Sequence, residues 1–145
     1  ASVESAKAFK IGVPKVAFLS YSTKGSAKSE DVTKVREAYE IFKKKNKEIL
    51  ADGELQFDAA MVESVSKHKA PESEIKGDAN ILIFPDINAG NICYKTTQYI
   101  GGLNAVGPIL QNLKKPVNDL SRGCNVNDIV ILSVITALQC EDEKK

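Results

Sequence analysis

Asn80-Ile81-Leu82-Ile83-Phe84-Pro85 is the stretch that decides the fold. Four apolar residues in a row, β-branched and aromatic and closed by Pro, are too short for a buried helix and read as a strand covered on both faces. Asn88 to Ile100 then reads as a helix, ended by Gly101-Gly102. A buried strand feeding a helix is the unit of an α/β protein with a parallel sheet. The same succession lies upstream. Lys15-Val16-Ala17-Phe18-Leu19-Ser20 reads as a strand, Ser20 to Ser26 as a loop, and Val32, Val35, Ala38, Tyr39, Phe42, Ile49 and Leu50 fall mostly at helical spacing. Ser29 precedes Glu30 and Asp31 and suits an N-cap with acids in the first turn. Asp52-Gly53 is expected to end that helix, Glu54 to Phe57 to form a short strand, and Asp58 to cap a helix over Ala59 to Lys67, before a loop from Pro71 to Gly77.

At the start, Ala1 to Ile11 reads as a helix with Val3, Ala6 and Phe9 or Lys10 to one side, stopped by Gly12 and Pro14. Downstream, Gly107 to Gln111 is strand-like, Lys114 to Cys124 is a loop, Asn125 to Gln139 is an apolar helix, and Glu141 to Lys145 is a charged tail expected to fray. The expectation is therefore α/β: a largely parallel sheet with flanking helices. Such sheets bind ligands beyond the carboxyl ends of their strands. Three loops qualify: the one after Leu19, the one after Phe84, and the one before the last helix.

Composition narrows the function classes. With 43% hydrophobic and 27% charged residues in 145, the chain suits one folded domain rather than disorder. A net charge of +1 gives no general pull toward nucleic acid or an anionic membrane, so neither is expected as a partner. Three cysteines without CxxC spacing argue for a reducing compartment, hence a cytoplasmic protein, and against a disulfide scaffold or zinc site. No apolar run approaches the roughly 20 residues of a membrane span. Glu4 and the lack of an apolar stretch exclude a secretory signal at the start; a first residue that is not Met suggests a fragment or processed chain.

The strongest chemical constellation is Lys115-Pro116-Val117-Asn118-Asp119-Leu120-Ser121-Arg122-Gly123-Cys124-Asn125-Val126-Asn127-Asp128. A polar loop runs here into a helix N-terminus, where free N–H groups and the dipole favour an anion. Arg122 offers a planar fork, Ser121 a hydroxyl and Gly123 close backbone approach. The same stretch also reads as plain capping, with Asn125 as cap and Asp128 completing the arrangement. Ser22-Thr23-Lys24-Gly25-Ser26 offers hydroxyls, a cation and a glycine after a strand. It lacks Walker A order and reads equally as a cleft loop or as a polar turn. Asn88 to Asn91 open a helix after a strand, and Asn91 and Lys95 share a helix face. Cys124 as a nucleophile finds no histidine near it in sequence, and one histidine with scattered acids suggests no metal site. Lys43, Lys44, Lys45 and Lys47 read as the wet face of a helix, with an anion-binding use as the alternative.

Three collinear stretches carry a resemblance. Leu82-Ile83-Phe84-Pro85-Asp86-Ile87-Asn88-Ala89-Gly90-Asn91-Ile92-Cys93-Tyr94-Lys95, the run Ile109 to Gly123, and Ser22-Thr23-Lys24-Gly25-Ser26-Ala27 are similar to the phosphate acetyltransferase family, with phosphate butyryltransferases sharing much of the pattern. The resemblance covers nearly the whole chain. It implies an isocitrate/isopropylmalate dehydrogenase-like fold of two α/β domains, of which residues 1–113 would be most of the second domain. Residues 114–145 would be the active-site loop and the C-terminal helical segment that packs on the absent first domain. It implies acetyl transfer between coenzyme A and inorganic phosphate, directly in a ternary complex, with butyryl transfer, or a fragment that binds phosphate or coenzyme A without turnover, as the alternatives. Coenzyme A and acetyl phosphate are then substrates rather than bound cofactors, and the enzyme is a homodimer.

By the resemblance, Ser121 and Arg122 match the active-site serine and arginine, Asp128 the proposed base for the thiol, and Lys95, beside Tyr94, a lysine near the coenzyme. Substrate contacts extend to Asn91, Tyr94, Ser22, Lys24 and Gly25. Two positions depart from the family pattern: Tyr99 stands where arginine is usual, which implies an altered grip on the coenzyme, and Cys93 where glycine is usual. A dehydrogenase of the related fold would need a nicotinamide site, which nothing here resembles. The chemistry constrains the roles further. An ordinary Asp is a poor base for a thiol near pKa 8.5, by roughly 6 kcal/mol, so Asp128 needs a raised pKa or a lesser role such as orienting the thiol. Arg122 and Ser121 suit the phosphoryl oxygens of a leaving group.

Overall fold

The computed structural model describes residues 1–142. In chain order its elements are α1 (Ser2–Ala8), β1 (Lys15–Leu19), α2 (Glu30–Lys45), β2 (Leu50–Leu55), α3 (Phe57–Met61), α4 (Glu63–Lys69), β3 (Ile81–Ile83), α5 (Ile87–Tyr99) and α6 (Val126–Asp142). Two compact units form, one from residues 11–92 and one from residues 1–10 with the chain from Cys93 onward; the junction falls inside α5. The expectation of a frayed tail concerns residues 143–145 chiefly, which lie outside the described residues.

The unit of residues 11–92 is the α/β body. Its sheet runs β2-β1-β3 with both pairings parallel, as the strand–helix alternation requires. β1 is the central strand and is covered on both faces. Ala17 and Leu19 join Leu55, Ala59, Ala60, Ala70, Ile75 and Ala79 in one core, against which Leu82 and Phe84 pack. On the other face Phe18 meets Tyr39 and Phe42 of α2 at ring-centroid distances of 6.0 and 5.5 Å. Ser29 caps α2 as expected, its side chain accepting from the Val32 N–H. The chain leaves β1 for β2 on one side while β3 lies on the other, so the carboxyl end of β1 is a topological switch point.

Three sequence expectations are corrected. α2 ends at Lys45, not at Asp52-Gly53, and these two residues lie inside β2 with Ile49 and Leu50 leading into it. Gly53 is there for contact rather than for a turn: a Cβ on it would lie 2.7 Å from Phe18 Cβ and 3.1 Å from Tyr39 Cβ. The expected strand Glu54 to Phe57 is thus the tail of β2, the cap position Gln56 and the first residue of α3. Second, the helix expected over Ala59 to Lys67 is two helices, broken at Val62, whose φ is −125° and ψ 114°. Gln56 rather than Asp58 is the capping position of α3. The turn at Gly77 presses on the break, where a Cβ would meet the Val62 carbonyl carbon at 2.5 Å and the Glu63 nitrogen at 2.6 Å. Gly77 also has φ +73°. Gly77→Ala is therefore expected to cost about 2–3 kcal/mol, combining strain with a backbone clash. A denaturant titration checks this, and a loss of a few tenths would contradict it. Third, Gly107 to Gln111 forms no strand beyond one antiparallel bridge, Ile109 with Asn118.

The second unit holds α1, the later turns of α5, and α6. Val3 and Ala6 are buried as expected, Leu132 is buried on α6, and α1 packs against α6. Gln111 fixes the connecting segment to α1, accepting from Ser2 Oγ at 3.3 Å and donating to Ser5 Oγ at 3.0 Å. Ile129, Val130, Val134 and Leu138 of α6 remain exposed.

Candidate active site

The loop before α6 is held from its root. Asn118 accepts from the Leu110 N–H at 3.0 Å and donates to Thr136 Oγ1 at 2.8 Å and Gln139 Oε1 at 2.7 Å, tying the loop to α6. Its tip is a tight turn: the Cys124 N–H donates to the Ser121 carbonyl at 2.9 Å, and the Gly123 N–H to Ser121 Oγ at 3.3 Å. Ser121 is half-buried and Arg122 exposed. The capping arrangement read from Asn125 and Asp128 is present in both directions. Asp128 N–H donates to Asn125 Oδ1 at 3.0 Å, and Asn125 N–H to Asp128 Oδ2 at 2.9 Å. One oxygen of Asp128 thus has a structural task.

The later turns of α5 lie beside this tip. Lys95 sets its ammonium 4.9 Å from the centroid of the Tyr94 ring. Tyr94, first among its neighbours, holds Lys95 above the usual lysine range, and nearby Arg122 works against this. Tyr99 reaches the same place: from the position a Cβ on Gly123 would occupy, its hydroxyl is 3.6 Å away and Ser121 Oγ is 3.9 Å away. Ser121 and Arg122 therefore share the loop tip and Tyr99 of α5 comes beside it, while Lys95 and Tyr94 lie earlier on the same helix. Asn91 is exposed on α5, in the other unit.

The loop after β1 behaves differently. Ser22 is fully buried and donates to Glu54 Oε1 at 2.9 Å, and the Gly25 N–H donates to the same oxygen at 2.7 Å. Arg36 adds its fork, Nε to Oε2 and Nη2 to Oε1, each at 3.1 Å. Lys24 pairs with Asp52 and donates to the Gly53 carbonyl at 3.2 Å. The remaining amides turn inward as well: Lys24 N–H to the Glu54 carbonyl, Thr23 N–H to Ser26 Oγ and Ala27 N–H to Ser22 Oγ. The anions that Ser22, Lys24 and Gly25 meet are the chain's own carboxylates.

Glu54, Asp52 and Arg36 are the residues that sequence reading missed. Glu54 is 1% exposed. It owes its direction to a bulge: Phe18 pairs with Gly53 and Leu19 with Leu55, so Glu54 is the extra residue and its side chain is re-aimed. Burial pushes its carboxyl up, but hydrogen bonds from Arg36, the Gly25 N–H and Ser22 outweigh this and hold its pKa at about 2. One signal was available: Arg36 and Arg122 are the only arginines in the chain, and a fork among many lysines marks a bidentate task. Among the described residues no group of three or more His, Cys, Asp or Glu is placed to hold a metal ion, and no helix is long and apolar enough to cross a membrane.

The chain thus combines a parallel α/β body with a helical unit whose loop carries a hydroxyl and a guanidinium ahead of a helix. A sequence profile described as Phosphate acetyl/butaryl transferase matches residues 1–137, and the chain belongs to that family. It is similar to a phosphate acetyltransferase of Bacillus subtilis, 59% identical over 138 residues, which covers 95% of this chain and 42% of that protein. Among solved structures it is similar to a phosphotransacetylase from Streptococcus pyogenes, with TM-score 0.90, 53% identity, and coverage of 97% of this chain and 42% of that one. A branched-chain phosphotransacylase from Enterococcus faecalis is more distant, with TM-score 0.76, 29% identity, and coverage of 94% and 49%. The chain thus spans less than half the length of these relatives.

Proposed function

We propose that this chain carries part of the active site of a phosphate acetyltransferase, interconverting acetyl-CoA plus phosphate with acetyl phosphate plus coenzyme A. The observation that carries the reading is the tight turn that sets Ser121 and Arg122 at one loop tip, in a chain 59% identical to a protein so named. Acetyl is preferred over butyryl because relatives at 56–59% identity are named phosphate acetyltransferase. Residues 1–113 would be most of the second α/β domain of the complete enzyme. Residues 114–145 would be the site loop and the helical segment covered by the first domain, a reading supported by the exposed apolar residues of α6. A homodimer in the cytoplasm, with coenzyme A and acetyl phosphate as its partners, completes the proposal.

In the reaction the thiol sulfur attacks the acetyl carbonyl of acetyl phosphate. A carbon–sulfur bond forms, the carbon–oxygen bond to phosphate breaks, and phosphate leaves with the electron pair and takes up the thiol proton. Arg122 and the Ser121 hydroxyl stabilise charge on the departing oxygens, and Lys95 adds a second cation. Asp128, with one oxygen on the Asn125 N–H, is better suited to orienting the thiol than to removing its proton. Transfer is direct, without an acyl-enzyme.

The test is a thioester assay with acetyl phosphate and butyryl phosphate. We expect the complete enzyme to form acetyl-CoA faster than butyryl-CoA, and the 145-residue chain alone to bind phosphate without turnover. Preference for butyryl phosphate, or a thioester trapped on Cys124, would overturn the respective part.

A further inference from the structure

Tyr99 stands on the last turn of α5 and is 69% exposed, yet its hydroxyl is placed, not stray. Gly123 marks the spot. Its chain neighbours aside, the groups within 4 Å of a Cβ built on Gly123 are the Tyr99 hydroxyl at 3.6 Å and the Ser121 hydroxyl at 3.9 Å. Both hydroxyls lie at ordinary contact distance from a methyl-sized volume on this glycine. Ser121 Oγ already accepts from the Gly123 N–H, so its own proton is directed elsewhere. Among the described residues the Tyr99 hydroxyl has no hydrogen-bond partner. Arg122, between Ser121 and Gly123 in the chain, is exposed and brings positive charge to the same loop tip. Two hydroxyls close to one methyl-sized volume that is kept clear of a side chain, on a loop that carries a guanidinium, suit an anionic oxygen.

We propose that Tyr99 is a further substrate-contacting residue, its hydroxyl donating, together with that of Ser121, to a phosphoryl oxygen lying over Gly123. The inference rests on the phosphate acetyltransferase reading and adds a neutral donor to its charged ones. It also assigns Gly123 a purpose: any side chain there would fill the place the oxygen needs. Because the contacts of a Cβ at this position are 3.6 and 3.9 Å, alanine fits the fold and serves as a clean block.

The experiment uses the complete enzyme and two readouts: steady-state kinetics of acetyl-CoA with phosphate, and calorimetric titration with inorganic phosphate alone. Tyr99→Phe is expected to raise the KM for phosphate about tenfold, the worth of one hydrogen bond to a charged group, with the KM for acetyl-CoA and the melting temperature unchanged. Gly123→Ala is expected to weaken phosphate binding at least as much. An active enzyme whose Tyr99→Phe variant keeps its KM and Kd for phosphate overturns the inference and leaves the reaction standing. So does a rise confined to the KM for acetyl-CoA. A wild-type protein that makes no acetyl phosphate, while Tyr99→Phe still weakens phosphate binding, removes the reaction and supports the contact. A wild type that binds no phosphate removes both.

Discussion

Arg122→Ala in the complete enzyme is expected to lower kcat/KM for acetyl-CoA formation by about 10²–10³-fold, the usual loss when one aimed charge-stabilising donor is removed. The guanidinium is exposed in this chain and makes no ion pair among the described residues, so its removal leaves no buried group stranded. The loop's shape depends instead on Asn118 and on the Ser121–Cys124 turn, which the substitution does not touch. Stability should therefore stay within about 0.5 kcal/mol, the range for surface changes. Arg122→Lys should retain part of the rate, since a lysine keeps the charge but not the planar fork that grips two phosphoryl oxygens at once. Stopped-flow thioester formation with both variants decides this. A near-normal rate for Arg122→Ala would refute the role given to the loop.

The second large effect is on stability. Glu54→Ala is expected to cost about 3–5 kcal/mol in urea unfolding, as for one partner lost from a buried charged network. It would leave the buried Ser22 hydroxyl and the Gly25 N–H without their acceptor, although the half-exposed Arg36 can rehydrate. The carboxyl's pKa of about 2 lies below the ordinary 4.5, which adds a pH signature. The folded state binds this proton less tightly than the unfolded state. Its contribution, about 3 kcal/mol, is therefore complete above pH 4.5 and is lost as pH falls toward 2. Glu54→Gln should be less stable than wild type at pH 7, and that difference should shrink over this acidic window. A gap that stays constant between pH 6 and about 2.5 would show that the carboxylate is not the group responsible.

Much of the site near α6 was legible because its signals are local. Asn125 and Asp128 cap one another across three residues, and the Ser121–Gly123 turn closes within the loop. The loop after β1 left two readings open, a cleft loop or a polar turn, for the opposite reason. Ser22, Lys24 and Gly25 have the composition of an anion cradle, but the anion lies about 30 residues onward in β2. Whether such donors face a ligand or an internal carboxylate depends on strand register. Asp52-Gly53-Glu54 looked like a helix stop because two buried acids inside a strand are costly, unless Lys24 and Arg36 arrive to pair with them.

The sequence by itself determined the order of buried strands and helices, the caps of α2 and α6, and the loop with Ser121 and Arg122. Each of these follows from periodicity or from hydrogen bonds between near neighbours in the chain. Only the tertiary structure decided the bulge that turns Glu54 inward, the break at Val62 under Gly77, and the approach of Tyr99 to Gly123. Those outcomes depend on which distant surfaces meet, and side-chain spacing along a chain does not encode that distance.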